Sequence, residues 1–195
     1  MITVLVTGGI GSGKSVACRY LETLGIPVYD SDSRAKSLYD TDPVLLSEVA
    51  EAFGSDIVSE DGRLDRSLLA SRVFGDAQKV LRLNSLVHPA VLRDFIRWRS
   101  GQDTEIVVME SALAQNIPSF RELFDRVVLV VAPSRLRALR AGERDGVPPE
   151  RIEERMAHQH FNEDDADAIV CNDGTLEQLY DQIDIVFSKF ATFNS

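Results

Sequence analysis

The chain is poor in everything that would staple or anchor it. Its 195 residues include two cysteines, Cys18 and Cys171, too few and wrongly spaced for a disulfide framework or a thiolate metal site. Both read as small core residues. The longest apolar run, Val127 to Ala132, is far short of a membrane span, and the first residues hold no basic segment followed by a long apolar stretch. Positive charge is scarce as well. Twenty-one Lys and Arg against 31 Asp and Glu leave a net charge of −10, which argues against nucleic-acid or anionic-membrane partners unless a local basic face overrides it. Repeats, low-complexity tracts and separate linkers are missing too. The expectation is a soluble, cytoplasmic protein that meets any anionic ligand with localised cations.

Apolar residues make up 44% of the chain, a globular composition in which roughly 70% of the unfolded surface can be buried. Glycine is concentrated at one place, "TGGIGSGKS" from Thr7 to Ser15, directly behind the apolar run "ITVLV". Such a cluster is expected only where the backbone takes φ > 0 or something approaches it closely. The stretch fits G-x-x-x-x-G-K-[ST] with Gly8, Gly13, Lys14 and Ser15 at the fixed positions. In that pattern backbone N–H groups of Gly9 through Ser15 wrap the phosphates of a nucleotide, Lys14 reaches the β and γ phosphates, and the Ser15 hydroxyl binds Mg²⁺. The flanks agree: Ile2 to Val6 reads as a buried strand. "SVACRYLETLG" places Val16, Tyr20, Leu21 and Leu24 on one helical stripe that stops at Gly25.

Further apolar runs recur at "IPVY", "EIVVM", "RVVLVVA" and "DAIVC", and five such strands alternating with helices indicate a parallel α/β sheet. About seventy residues between the second and third runs carry helical periodicity without a convincing strand. That is too long for a crossover and indicates a helical insertion. A second, arginine- and glutamate-rich insertion follows Ser134.

Three constellations carry chemistry. In "VYDSD", Asp30 and Asp32 follow the second strand, where parallel sheets bind ligands. A carboxylate there accepts a proton from an attacking hydroxyl or binds Mg²⁺ through water, unless it caps the next helix. In the helical segment holding Arg66, Arg72 and His88-Pro89, a histidine before proline reads as a helix-boundary residue. In "SRLRALRAGERDGVPPERIEERMAHQ", Arg137, Arg140 and Arg144 share a helical face, and Arg151 and Arg155 lie on the next helix. Most of these form a solvated face, and one or two are candidates to close over a transferred phosphoryl group.

The pattern resembles the dephospho-coenzyme A kinase family over nearly the whole chain. The resemblance rests on "VTGGIGSGKS", the "DSD" pair followed by Lys36, "DRSLLASRVF", "LNSLVHP", Arg140 and Arg144 in "RAGERDG", "AHQ" ending at Gln159, and "DAIVCNDG". It implies ATP-dependent phosphorylation of the 3′-hydroxyl of dephospho-CoA, the last step of coenzyme A biosynthesis, with ATP and Mg²⁺, by a monomer or small homo-oligomer with no nucleic-acid or membrane partner. The implied fold is α/β, a parallel sheet of about five strands of the P-loop NTP hydrolase type with helices on both faces. Its core is 1–33, 103–134 and 166–195, with a helical substrate-binding insertion at 34–102 and an arginine-bearing lid at 135–165. By the same resemblance Gly9, Ile10, Gly11, Ser12, Gly13, Lys14, Ser15 and Val16 bind the nucleotide, and Ser15 ligates the metal. Asp32, Lys36, Arg66, His88 and Pro89 contact the acceptor. Lys14, Asp32, Arg140 and Arg144 are catalytic, Asp32 as base. Where the family usually reads "PLLFE" after the third strand, this chain reads "ALAQN", so Asn116 stands in place of a glutamate and Glu110 is the candidate carboxylate. A kinase for another small acceptor, such as a nucleotide, is the near alternative. A GTPase-type switch would need an Asn-Lys-x-Asp segment, which the sequence lacks.

Overall fold

Each of the five apolar runs forms a strand of one parallel sheet. In the computed structural model, which describes residues 1–157, 159 and 161–192, these are β1 (Ile2–Thr7), β2 (Val28–Asp30), β3 (Ile106–Glu110), β4 (Arg126–Val131) and β5 (Ala168–Cys171). Their order is β2-β3-β1-β4-β5, so the strand that feeds the glycine cluster is central and flanked by β3 and β4. Such an order has a switch point at the central strand, the place where parallel sheets bind ligands beyond their carboxyl ends.

The helices that follow are α1 (Lys14–Thr23), α2 (Ser31–Thr41), α3 (Pro43–Phe53), α4 (Arg66–Val73), α5 (Ala77–Ser100), the short α6 (Pro118–Arg121), α7 (Ser134–Asp145), α8 (Pro149–Met156) and α9 (Leu176–Thr192). Contacts divide the chain into two compact units. One comprises Met1–Asp30 and Gln102–Ser195 and contains the sheet; the other, Ser31–Gly101, contains α2 to α5.

In the sheet unit, α1 and α9 cover one face. Val4, Val6, Val108, Val128, Val130 and Val170 from the strands pack on Ala17, Cys18 and Leu21 of α1 and on Leu179, Ile183, Phe187 and Phe190 of α9. The expected α1 stripe needs one correction. Val16 and Tyr20 pack at the margin of this core, but Leu24 is exposed, because α1 has already ended. Gly25, at φ 79, donates to Glu22 O while Ile26 N–H reaches back to Leu21 O, the paired bonds that close a helix around a left-handed residue.

Cysteine burial also divides. Cys18 is buried and Cys171 is exposed, since β5 lies at the edge of the sheet and Cys171 is its last residue. Both backbone groups of Cys171 are nevertheless bonded. Its N–H donates to Gln182 Oε1 at 2.9 Å and its carbonyl accepts from Gln182 Nε2 at 2.8 Å.

In the helical unit, Asp42 and Asp76 cap α3 and α5 with side-chain oxygens on two N–H groups each. Arg34 of α2 pairs with Asp94 of α5 through two hydrogen bonds of 2.8 and 2.9 Å, and Arg72 of α4 pairs with Asp56 beyond α3. The helix boundary expected at His88-Pro89 does not occur: α5 runs unbroken through both. Ala90, Val91 and Phe95 are buried beyond the proline, and this packing holds the second half of the helix in line despite the lost backbone bond.

Ile183 of α9 is fully buried in the sheet core, 1% exposed. Ile183→Ala should destabilise the protein by about 2 to 5 kcal/mol in urea unfolding, whereas Leu176→Ser on the exposed start of the same helix should stay within about 0.5 kcal/mol of wild type.

Candidate active site

Residues 8–13 cross from the carboxyl end of the central strand to the N-terminus of α1, where unbonded N–H groups and the helix dipole favour an anion. Protein backbone crowds this crossing from outside. Gly8 sits at φ 146, and a Cβ there would lie 2.2 Å from Val130 O; Gly11 sits at φ 73, and a Cβ there would lie 2.2 Å from Arg137 O. Within the loop, Ser12 N–H donates to Gly9 O at 3.1 Å, and Lys14 Nζ approaches the same oxygen at 3.4 Å. Ile10 N–H donates to Gln159 Oε1 at 2.8 Å. Of the loop amides expected to meet phosphates, those of Ile10 and Ser12 are thus already engaged. Those of Gly11 and Gly13 make no hydrogen bond among the described residues.

Ser15 faces Glu110. Its hydroxyl donates to Glu110 Oε1 at 2.6 Å. Glu110 ends β3 and is in register with Val6 of β1 and Asp30 of β2, so two carboxylates stand side by side at the carboxyl edge of the sheet. Asn116 ends a short 3₁₀ turn, Ala114–Asn116, farther along the chain. Beside Glu110, burial first and the carboxylate second push the Cys18 thiol well up from its ordinary pKa, so it stays protonated and unreactive.

Three of the four arginines of α7 have different partners. Arg137 Nε donates to Ile10 O at 2.9 Å, and burial pushes its guanidinium pKa down without discharging it. Arg140 Nη1 donates to Asn172 O at 2.9 Å, and Asn172 Nδ2 donates in turn to Ser12 O at 2.8 Å. Arg144 Nε donates to Asp145 Oδ1 at 2.7 Å, and Arg155 of α8 bonds the other oxygen of the same carboxylate. Arg144, then Arg155, holds the Asp145 carboxyl below its usual range. Arg151 pairs with Glu154 in solvent, as a solvated face predicts.

In the helical unit, Asp32, Lys36 and Asp40 recur every fourth residue of α2 and so share a face. Arg66 of α4 donates to Lys36 O at 2.9 Å and to Asp40 Oδ2 at 2.8 Å. Arg34 and Leu38 lie on a different face of α2 and line a cavity of about 750 Å³ with residues of α3 and α5. Its charges are largely paired already, Arg34 with Asp94 and Arg93 with Asp42. His88 and Pro89 lie near the middle of α5, and burial lowers the His88 pKa from its ordinary value.

The model of the dephospho-CoA kinase family matches residues 2–178. The chain belongs to this family. A dephospho-CoA kinase of Porphyromonas gingivalis is 45% identical over 159 residues, covering 82% of this chain and 78% of its own. Among solved structures, TT1252 from Thermus thermophilus superposes with a TM-score of 0.81 at 31% identity, covering 96% of this chain and 97% of its own. The dephospho-CoA kinase of Campylobacter jejuni shares the fold, with a TM-score of 0.71 at 21% identity over 99% of this chain and 98% of its own.

Two residues of this kinase that touch its glycine loop, Gln159 and Asn172, were given no role from the sequence, whereas Arg137, which also touches it, stood among the candidate arginines. Asn172 offered one signal, since it directly follows β5 at the edge where ligands gather. Gln159, 149 residues from the Ile10 amide it accepts from, was marked only as the end of "AHQ" in the family resemblance, with no contact attached to it.

His88 of this kinase supplies a pH test. Because burial lowers its folded pKa, the unfolded chain binds more protons as pH falls through the ordinary histidine value, and stability drops there. Between about pH 7.5 and about pH 5.5, His88→Gln should therefore lose less stability than wild type, measured by urea midpoints.

Proposed function

We propose that this chain transfers the γ-phosphoryl group of ATP to the 3′-hydroxyl of dephospho-CoA, with Asp32 as the base and Mg²⁺ as the accompanying ion. The observation that carries the reading is the glycine loop itself, an anion cradle at a helix N-terminus with Ser15 and a strand-end carboxylate 2.6 Å apart beside it. Net charge −10 favours a small-molecule acceptor over a nucleic acid.

The oxygen donors suit the ion. Ser15 Oγ and Glu110, with Asp30 next to it in register, are hard oxygen ligands of the kind that hold Mg²⁺. Among the described residues, no group of three or more His, Cys, Asp or Glu gathers to hold a metal, which accords with an ion that takes most of its ligands from phosphate and water. When bound, it neutralises charge on the transferring group. The chain's own residues do the rest. Amides of the loop and Lys14 hold the phosphates in line. Asp32, two residues beyond the end of β2, orients the hydroxyl and accepts its proton. Lys36, Arg66 and the neutral His88, with Pro89, bind the acceptor. Arg140, tied to the loop through Asn172, and Arg144 one turn on, stabilise the migrating charge.

An ATP-consumption assay against dephospho-CoA, AMP, nucleosides and pantetheine compounds tests the reading: turnover should require dephospho-CoA, and faster turnover of AMP or a nucleoside would replace it with the alternative acceptor. Asp32→Asn should lower kcat by roughly 10² to 10⁴ while barely moving the ATP dissociation constant, and Asp30→Asn should cost less. Equal losses would assign Asp32 to the metal or to structure.

The arginines divide in the same assay. Arg140→Lys and Arg144→Lys keep the charge and lose the planar fork, and each should cost at least about tenfold in turnover, about 1.4 kcal/mol. Arg151→Lys, on an exposed pair, should change turnover less than about twofold.

A further inference from the structure

The residue at the apex of the glycine loop is held by parts of the chain far from it in sequence. Ile10 N–H donates to Gln159 Oε1 at 2.8 Å, and Ile10 O accepts from Arg137 Nε at 2.9 Å. Its side chain packs against the small core of Ala138, Ala141 and Ile152 between α7 and α8. One residue is therefore gripped at its carbonyl and side chain by the helical hairpin and at its amide by Gln159, just beyond it. Arg137 spends a half-buried guanidinium on a backbone carbonyl, and no carboxylate pairs with it among the described residues.

We infer that Gln159 and Arg137 are positioning residues that fix the Ile10 peptide in the phosphate-binding shape, so that the α7–α8 hairpin governs nucleotide affinity. This rests on the reading of residues 8–15 as the nucleotide loop. A loop this rich in glycine has many conformations available to it when unrestrained, and each restraint supplied by the protein lowers the ordering that a nucleotide must impose. The amide of Ile10 is diverted from the phosphates by a side chain, so its bond contributes to shape rather than to contact. Coupling of this kind is reciprocal: a nucleotide seated in the loop strengthens the hairpin's hold as much as the hold strengthens the nucleotide.

Isothermal titration of the full chain with ADP, which needs no acceptor and no turnover, measures the coupling. Gln159→Leu keeps size and loses the acceptor without changing charge, and it should raise the ADP dissociation constant roughly three- to tenfold, the worth of one net hydrogen bond. Its Ile10 amide should also exchange with solvent faster by a similar factor.

For Arg137 the comparison is between two neutral variants. Arg137→Gln retains an N–H donor for Ile10 O and Arg137→Met does not, so Arg137→Gln should bind ADP roughly threefold tighter or more. A purely structural role would lower the urea midpoint of these variants while leaving ADP affinity in the folded protein unmoved, and that result overturns the inference. Equal ADP affinity for Arg137→Gln and Arg137→Met overturns it too, by showing that charge and not the hold on Ile10 matters. Should Gln159→Leu fail to fold, the Arg137 pair decides alone. Failure of wild type to bind ADP would instead sink the reading of the loop, a distinct outcome.

Discussion

The structure turns on how closely protein backbone approaches residues 8–13. Val130 O comes from β4 and Arg137 O from α7, each about where a side-chain carbon at Gly8 or Gly11 would stand. A cradle for phosphate needs glycine on its inner side; this one needs it on the outer side as well, because a neighbouring strand and a helix press on the same few peptides. That double demand explains why four glycines fall among nine residues when a turn would ask for one or two. It also fixes what else must be true: β4 must neighbour β1, and α7 must follow β4 and fold back across the loop.

The sheet was legible because a strand buried on both faces is written as a short apolar run rich in β-branched residues, most plainly in β1, β3 and β4. The glycine motif was legible for the opposite reason, since nothing else in the chain resembles it. What escaped was whatever depends on strand order or on distant partners. Cys171 looks like a core residue in "DAIVC", and only the position of β5 at the sheet's edge exposes it. Leu24 fits the α1 stripe by period but lies beyond the last turn. Proline at 89 predicts a break by its local chemistry, and burial of Phe95 two turns later overrides it. Gln159 is polar, isolated and without a periodic partner, so no local pattern could join it to Ile10.

Charge distribution reconciles an acidic chain with an anionic substrate. Most described arginine pairs use carboxylates: Arg34 with Asp94, Arg66 with Asp40, Arg72 with Asp56, Arg121 with Asp165, and Arg144 and Arg155 with Asp145. Arg137 and Arg140, the two that touch the loop and its neighbour Asn172, are held by carbonyl oxygens instead. A carbonyl orients a guanidinium without cancelling its charge. The positive field next to the loop is therefore kept by the choice of partner, and an overall charge of −10 is no obstacle at contact distance.

The amide of Gln182 reaches the free side of β5 and bonds both the N–H and the carbonyl of Cys171, as an adjoining strand would. An outermost strand is a template on which another polypeptide can add and from which aggregation can grow. A single glutamine on α9 closes that template at the strand's last residue, and the opposite border, β2, offers only three residues before the chain turns into α2. The sheet thus ends on each side in a strand of three or four residues, which leaves few backbone groups for a stray chain to pair with.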